Sequence, residues 1–303
     1  MKCRTFTLAH ANHPIFTTGK GAAATPLNDQ AFTLFCAVRG YTQSLVRLLT
    51  GKNHKMIEGI YRRNGQCRAQ HVECRELEIK YGGKWQDVEA DEVDVGGNFA
   101  QMVRERGDGE PEGKVKWEQW GGLVQRGEPG SLLLTRLNPV HTHPRAPGPG
   151  PVKLTDWGPL ARKHLAGKKV ILHTDGAQTY NLKIPGMLHD HVTHKKKQLF
   201  KDGKPVENGS RSVWVMPKYV KAFGHKIPGA KRTVQCKGGT QIADRFWRHL
   251  RSFLKNRPKK VGSAEVRMRV RSSQWSYWYR ESDLWEKTGE MITKIQKWNI
   301  ESY

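Results

Sequence analysis

A chain of 303 residues can bury a sizeable core, and its 52 Lys+Arg against 28 Asp+Glu give a formal charge of +24 that favours a polyanionic partner, nucleic acid first. The excess is uneven, with 22 Lys+Arg against four acids between Lys195 and Arg271, which reads as a phosphate-tracking face. Five cysteines without a C-x-x-C pair argue against a disulfide framework and a zinc ribbon, and the absence of a signal core or a long apolar run predicts a soluble intracellular protein with no membrane partner.

Residues 1–27, with Gly19-Lys20-Gly21, an alanine triplet and Pro26, read as an irregular arm. After Asn28, Phe32, Phe35, Cys36 and Ala37 mark one apolar helical face that stops at Gly40. In YTQSLVRLLTGKNHKMIEGIYRRNG, Thr42 is placed to cap a helix with Leu45, Val46, Leu48 and Leu49 inward. Gly51 makes the turn, and Asn53 caps a second helix with Met56, Ile57 and Ile60 inward. This spacing predicts a helix-turn-helix in a domain of residues 28–80. His54, Lys55, Glu58 and Arg62 stay outward on the second helix with Arg63 beside them, so Lys55, Arg62 and Arg63 are candidates for base and phosphate contacts. An ordinary helical hairpin with solvated charges is the alternative.

Lys84 to Val95, KWQDVEADEVDV, sets Val88, Ala90 and Val93 against five carboxylates at Asp87, Glu89, Asp91, Glu92 and Asp94, and predicts a strand closed by Gly96-Gly97. So many acids in so basic a chain point to hard oxygen ligands for Mg2+ or Mn2+. Trp117 to Val124 and Ser131 to Leu137 predict a hairpin over the turn Gln125 to Gly130. HTHPRAPGPGP, residues 141–151, reads as a surface loop whose prolines deny its histidines a rigid scaffold.

A helix near Pro159 to Leu165 leads into Lys169 to Asn181, KVILHTDGAQTYN, where Val170-Ile171-Leu172 run to Asp175. The end of a buried strand is where open α/β sheets hold ligands, so Asp175 is the first catalytic candidate, with a turn-starting Asp as the alternative. His189, His191 and His194 fall on both faces of a further strand and read as flanking a phosphate groove, beside Lys195, Lys196 and Lys197. In TQIADRFWRHLRSFLKNRP, Ile242, Phe246, Leu250 and Leu254 recur at i, i+4 with Trp247 adjoining, which predicts a helix ending before Pro258. Its one carboxylate, Asp244, stands among Arg245, Arg248 and Arg251 as either an ion-pair partner or a third metal ligand.

Asp91 on the first strand, Asp175 after the fourth and Asp244 on a later helix follow the order of acids in ribonuclease-H-like DDE transposases. VEADEVDVGG resembles the first-acid strand of the Merlin and ISXO-like insertion-sequence transposases, and GGLVQRG resembles their second strand. HTDGAQTYN is similar to their second-acid turn, HVTH to the segment after it, and TQIADRFWRHLR to their closing helix. The resemblance, over about residues 30–290, implies an α/β fold with a ribonuclease-H-like mixed sheet and flanking helices across residues 81–290. Insertions would lie near 100–114, 139–157 and 198–232, with the small all-α helix-turn-helix domain ahead and a tail at 291–303.

The same resemblance implies two Mg2+ or Mn2+ ions, with Asp91 bridging both, Asp175 and Asp244 completing one shell each, and Arg251 holding phosphate. DNA would be the substrate, cleaved and joined at transposon ends by a homodimer or higher synaptic assembly. Its place would be the nucleus of a eukaryote or the cytoplasm and nucleoid of a bacterium. Lys195, Lys196, Lys197, Arg248 and Arg251 would offset the acids against DNA. The chain departs from the family pattern at Asp244, where Glu is frequent, at Arg251, where Lys is frequent, and at Gly239 and Gln241, where His and Asn stand; it also lacks a zinc ribbon. A descendant that binds DNA without cleaving it is therefore the second reading.

Overall fold

The computed structural model describes residues 13–17, 25–95, 114–192, 222–255 and 260–295, with backbone segments at 101–102, 196–197, 200–201, 204–205 and 213–214. Its helices are α1 (Leu27–Val38), α2 (Gln43–Thr50), α3 (His54–Glu76), α4 (Leu154–Leu165), α5 (Gln241–Leu254), α6 (Ala264–Trp278) and α7 (Leu284–Ile295). Among the described residues no helix is long and apolar enough to cross a membrane. The chain forms two compact units, Met1–Glu78 with Ser263–Tyr303, and Ile79–Gly262. The run expected at 81–290 is thus divided after Gly262, and α6 and α7 belong with the N-terminal helices.

The first unit is helical. Thr42 Oγ1 accepts from Leu45 N and Asn53 Oδ1 from Lys55 N, so α2 and α3 begin at the capping residues, and Gly51 at φ +64° turns the chain between them. Val46 and Ile57 are buried together with Cys36, but the rest of the α2 face expected inward is outside, with Leu45 40%, Leu48 81% and Leu49 59% exposed. Residues 45, 46, 48 and 49 span a wider arc than the single stripe a short helix turns to its neighbour. On α1 the inward residues include Leu34 and Val38, whereas Phe32 is exposed.

Helix α3 runs for 23 residues, beyond the reach of a helix-turn-helix recognition helix, because its later half packs on α6. Gly65 allows the approach, since a Cβ there would meet Met268 Sδ at 3.3 Å. Buried Arg68 lies 4.2 Å from the Trp275 ring, and desolvation draws its pKa down to about 10. Arg271 and Gln274 both donate to Glu76 Oε1 at 2.7 Å. Part of the supposed arm is docked: Ile15 is buried, and the buried Gln30 amide bonds both the N–H and the carbonyl of Thr17.

The second unit is mixed α/β. Strands β1 (Gln86–Asp94), β2 (Gln119–Gln125), β3 (Leu133–Arg136), β4 (Val170–Asp175) and β5 (Met187–Val192) form one sheet in the order β3-β2-β1-β4-β5. β2 pairs antiparallel with β1 and β3, whereas β4 pairs parallel with β1 and β5. A separate hairpin joins β6 (Phe223–Lys226) to β7 (Thr233–Cys236). β1 is the middle strand, so its acids stand inside the unit rather than at an edge. Val88 and Ala90 share a core with Trp157, Leu160, Ala161 and Leu165 of α4. The opposite parity, Asp87, Glu89 and Asp91, faces α5, which buries Ala243, Phe246, Trp247, Leu250 and Leu254. The loop expected at 141–151 starts as a strand, because Val140–Thr142 pairs with Val115–Trp117, and α4 begins at Leu154 with Pro159 inside it.

The junction ahead of β1 is tight. Gly82 has φ +79°, and a Cβ there would meet the Lys168 carbonyl at 2.1 Å and Val170 Cγ1 at 2.6 Å. Gly82→Ala is therefore expected to cost about 2 kcal/mol or more, through left-handed backbone strain plus a backbone clash. A urea titration should show a lower midpoint at unchanged slope. An unaltered midpoint would contradict this account of the junction.

Candidate active site

The face of β1 opposite α4 carries its acids at alternate positions, and each level is handled differently. At the middle level Glu89 is fully buried. Its Oε1 accepts from Arg126 Nε at 2.7 Å, and its Oε2 accepts the backbone N–H of Ile242 at 2.7 Å and of Ala243 at 3.0 Å. The carboxylate thus satisfies orphan donors in the first turn of α5 and meets the positive end of its dipole. Arg126 also donates to the carbonyls of Lys237 and Gly239, fixing the segment that enters the helix. Arg126 comes from the GGLVQRG stretch, so the hairpin turn and the helix start are tied through one carboxylate.

At the upper level α5 brings Trp247 over Asp91. Trp247 Nε1 donates to Asp91 Oδ2 at 2.9 Å. The ring lies against Gly122, the register partner of Asp91, where a Cβ would meet Trp247 atoms at 2.9 and 3.0 Å. Burial pushes the Asp91 carboxyl well above the usual range, reinforced by the charges of Glu92 and Asp244 and opposed by the Trp247 bond. Asp175 ends β4 on the same face as Asp91 and accepts the Ala177 N–H at 2.9 Å. Glu92 points to the other face, bonded by Tyr180 Oη and by Val152 N at 3.2 Å; burial raises it, with Asp175 adding to the rise. Asp244 is exposed in the first turn of α5.

Asp91 and Asp175 therefore share one end of one sheet face, while Asp244 stands on the helix over that face, near enough for its charge to act on Asp91. They do not close into a single-ion cage: among the described residues the set with ligand atoms within 4.8 Å of one another is Asp87, His173 and Cys236, at the lower level. There His173 is fully buried, with Nε2 2.7 Å from Asp87 Oδ1 and Nδ1 3.2 Å from Asp190 Oδ2. Burial alone would lower the His173 pKa, but the bonds to Asp190 and Asp87 outweigh it and raise it. The same bonds outweigh burial at both carboxyls and hold them below their ordinary values. Burial, with Asp87 and Asp190 nearby, pushes the Cys236 thiol up to about 12.

Of the expected DNA contacts, Lys55 and Arg62 are exposed on α3, and Arg248 and Arg251 on α5. Arg63 is not available in the same way, because it is half-buried and its Nε donates to the Ile15 carbonyl. Lys195 lies outside the described residues, as do His194 and the side chains of Lys196 and Lys197. His189 and His191 share a face with their rings 5.7 Å apart, and His189 Nε2 meets Thr174 Oγ1 at 2.9 Å. Sequence reading passed over Glu89, Arg126, His173, Asp190 and Cys236 as a set. Parity was the available signal, since His173 stands two before Asp175 as Glu89 stands two before Asp91.

No protein-family model matches the chain, and no curated protein and no solved structure was found to be similar to it.

Two outcomes follow from these environments. Glu89→Ala leaves the Arg126 guanidinium and two helix N–H groups without their carboxylate, so a loss of about 3–5 kcal/mol is expected in urea unfolding. A loss below about 1 kcal/mol would mean that water replaces the carboxylate and that Glu89 does not hold the helix. Asp91 binds its proton more tightly folded than unfolded, so without metal its contribution to stability falls as pH rises from about 3.9 towards the raised folded value. Asp91→Asn removes that loss. The variant should melt above the wild type at pH 7 in chelator, with the gap closing towards pH 4; coincident melts at pH 7 would show that the charge is not strained.

Proposed function

We propose that the chain is a metal-dependent enzyme of the DDE transposase type, cleaving and joining DNA through a ribonuclease-H-like domain, with α2 and α3 as a helix-turn-helix. The observation that carries it is the sheet order β3-β2-β1-β4-β5 with Asp91 on the middle strand, Asp175 at the end of its parallel neighbour, and Asp244 on the helix over the same face. The net charge of +24 and the five sequence motifs support the same reading.

Asp91, Asp175 and Asp244 would hold the ions. All three offer oxygen, the donor that Mg2+ and Mn2+ take, and the raised Asp91 carboxyl marks a place short of positive charge, so the residues fit. Bound there, a pair of such ions supplies activation of a water or 3′-hydroxyl and stabilisation of the leaving oxygen. The chain's own residues orient the reactants. Trp247 fixes the Asp91 carboxylate, and Arg248 and Arg251 follow Asp244 at four and seven residues, on one exposed stripe of α5 that can receive phosphate. Joining two ends requires at least a dimer.

The purified protein should nick supercoiled plasmid with Mg2+ or Mn2+ and not with chelator. Asp91→Asn and Asp175→Asn should each lower the rate by at least the roughly 10–100-fold that losing even an outer-shell partner of a metal ligand costs. Salt-dependent binding with no nicking under either ion would instead favour the second reading, a DNA-binding descendant, for which the shorter Asp244 and the open arrangement of the acids speak.

Binding itself should divide between the two basic surfaces. Arg248→Ala with Arg251→Ala is expected to weaken all duplexes and flatten the salt slope by roughly one unit for each phosphate that is no longer neutralised. Lys55→Ala should reduce preference among sequences in a binding-site selection while the slope changes little. If the arginine variant loses sequence preference and keeps its slope, the two surfaces are exchanged.

A further inference from the structure

We propose that Asp87, His173 and Cys236 form a transition-metal site, with Zn2+ as its ion, that ties the β6–β7 hairpin to the central sheet. The three residues come from β1, β4 and β7, and one ligand atom of each lies within 4.8 Å of the others. A carboxylate, an imidazole and a thiol together are a Zn2+ donor set, whereas Mg2+ takes oxygen alone. With bonds of about 2.0–2.3 Å, tetrahedral ligand atoms stand about 3.3–3.8 Å apart, so the thiol needs to move by no more than about an ångström. His173 Nε2 and Asp87 Oδ1, now 2.7 Å apart, would part by a little less than that to admit the ion.

The surroundings fit a ligating imidazole. Asp190 Oδ2 sits 3.2 Å from His173 Nδ1, the position of the carboxylate that commonly orients a metal-bound histidine from behind. Gly238 lets the chain leaving Cys236 cross that carboxylate, since a Cβ there would meet Asp190 Oδ2 at 2.7 Å. On binding, the thiol proton of Cys236, and the Nε2 proton of His173 where the ring is doubly protonated, pass to solvent as the Zn–S and Zn–N bonds form; Nδ1–H stays directed at Asp190, and Asp87 binds as carboxylate. His173 and Cys236 are buried while Asp87 is partly exposed, which gives the ion a way in and a water a fourth position.

This site is separate from the acids above it: Asp87 and Asp91 are four residues apart on one strand, about 13 Å. It does not depend on the DNA-cleaving reading. Its consequence is local, because Cys236 leads directly into the Lys237 and Gly239 carbonyls that Arg126 holds and so into α5.

The test uses the full chain, stripped with chelator and titrated with Co2+ as a probe for Zn2+. Expected is one tightly held equivalent with the intense visible bands of a tetrahedral ion and a thiolate-to-cobalt charge-transfer band. Zn2+ should displace it and excess Mg2+ should not. Cys236→Ser should abolish the charge-transfer band, Asp190→Asn should keep it at about 10–100-fold weaker affinity, and Asp91→Asn should leave it unchanged. No retained equivalent, a spectrum without the thiolate band, a band that survives Cys236→Ser, or displacement by Mg2+ overturns the proposal. The Mg2+ competition is made on the wild type, so it decides even where a variant misfolds. Loss of the spectrum in Asp91→Asn would place the ion with the upper acids and also overturn it.

Discussion

The second unit hangs on the Glu89 carboxylate. A charge with no exposed surface costs several kcal/mol of lost hydration unless it is paired and fully hydrogen-bonded. Arg126 on one oxygen and two backbone N–H groups of α5 on the other meet that requirement together. Because the donors come from a hairpin turn and a helix start, satisfying the charge also sets where both can lie. The position of Trp247, and with it the carboxylate of Asp91, follows from where α5 begins. Gly122 is the sheet's concession to that helix, since any side chain at the register partner of Asp91 would occupy the indole's place.

Reading along β1, three acids of one parity face three different balances. Asp87 has the imidazole of His173, Glu89 has a guanidinium and a helix terminus, and Asp91 has only neutral donors, the Trp247 indole N–H and the backbone at Glu92. Each hydrogen bond to an ionised carboxylate is worth about 1.5–3 kcal/mol, whether its donor is neutral or charged. Desolvation of a buried carboxylate exceeds what few such bonds return and is matched only when several act together with a cation among them. Asp87 is accordingly held low while Asp91 is driven up, with Glu92 and Asp244 adding to the excess. The acids of this face separate into those the fold consumes, Asp87 and Glu89, and Asp91, which it leaves wanting a cation. This difference, more than the number of carboxylates, singles out the upper end of the sheet.

The strands and α5 were legible because their signal is local. Alternation marked β1, a β-branched run marked β4, and the i, i+4 spacing of Phe246, Leu250 and Leu254 marked α5, all of which are buried as their parity required. Capping at Thr42 and Asn53 was legible for the same reason, since a cap is a contact between near neighbours. What failed depended on distant partners. Leu48 and Leu49 look like core in any window, but α2 meets too few neighbours to cover them. The return of α6 to the N-terminal helices rests on Arg68 beneath Trp275 and on Glu76 with Arg271, and that of α7 on Met291, Ile292 and Ile295 in one core with Leu34 and Val38, partners that no periodicity announces. The grouping of Cys236 with Asp87 and His173 was not legible, because the three meet only through the pairing of β1 with β4 and the fold of the hairpin.

Helix α5 has to answer three demands with one short sequence, and its order of residues shows how they are kept apart. Its first turn is spent on Glu89, so the residues there need only backbone N–H groups, and Ile242 and Ala243 serve without polar side chains. Its inward stripe, Phe246, Trp247, Leu250 and Leu254, gives the burial that holds it on the sheet, with Trp247 alone lending a donor. The outward stripe is then left for charge, one acid at Asp244 and arginines at 245, 248 and 251. An acid near the N-terminus and an arginine in the last turn both suit the helix dipole, which offsets part of the repulsion within the arginine row. The polarity of α5 therefore favours the same layout that a cation-seeking carboxylate beside a phosphate-seeking arginine row would require, and the helix can carry that layout because Glu89 has already fixed where it starts.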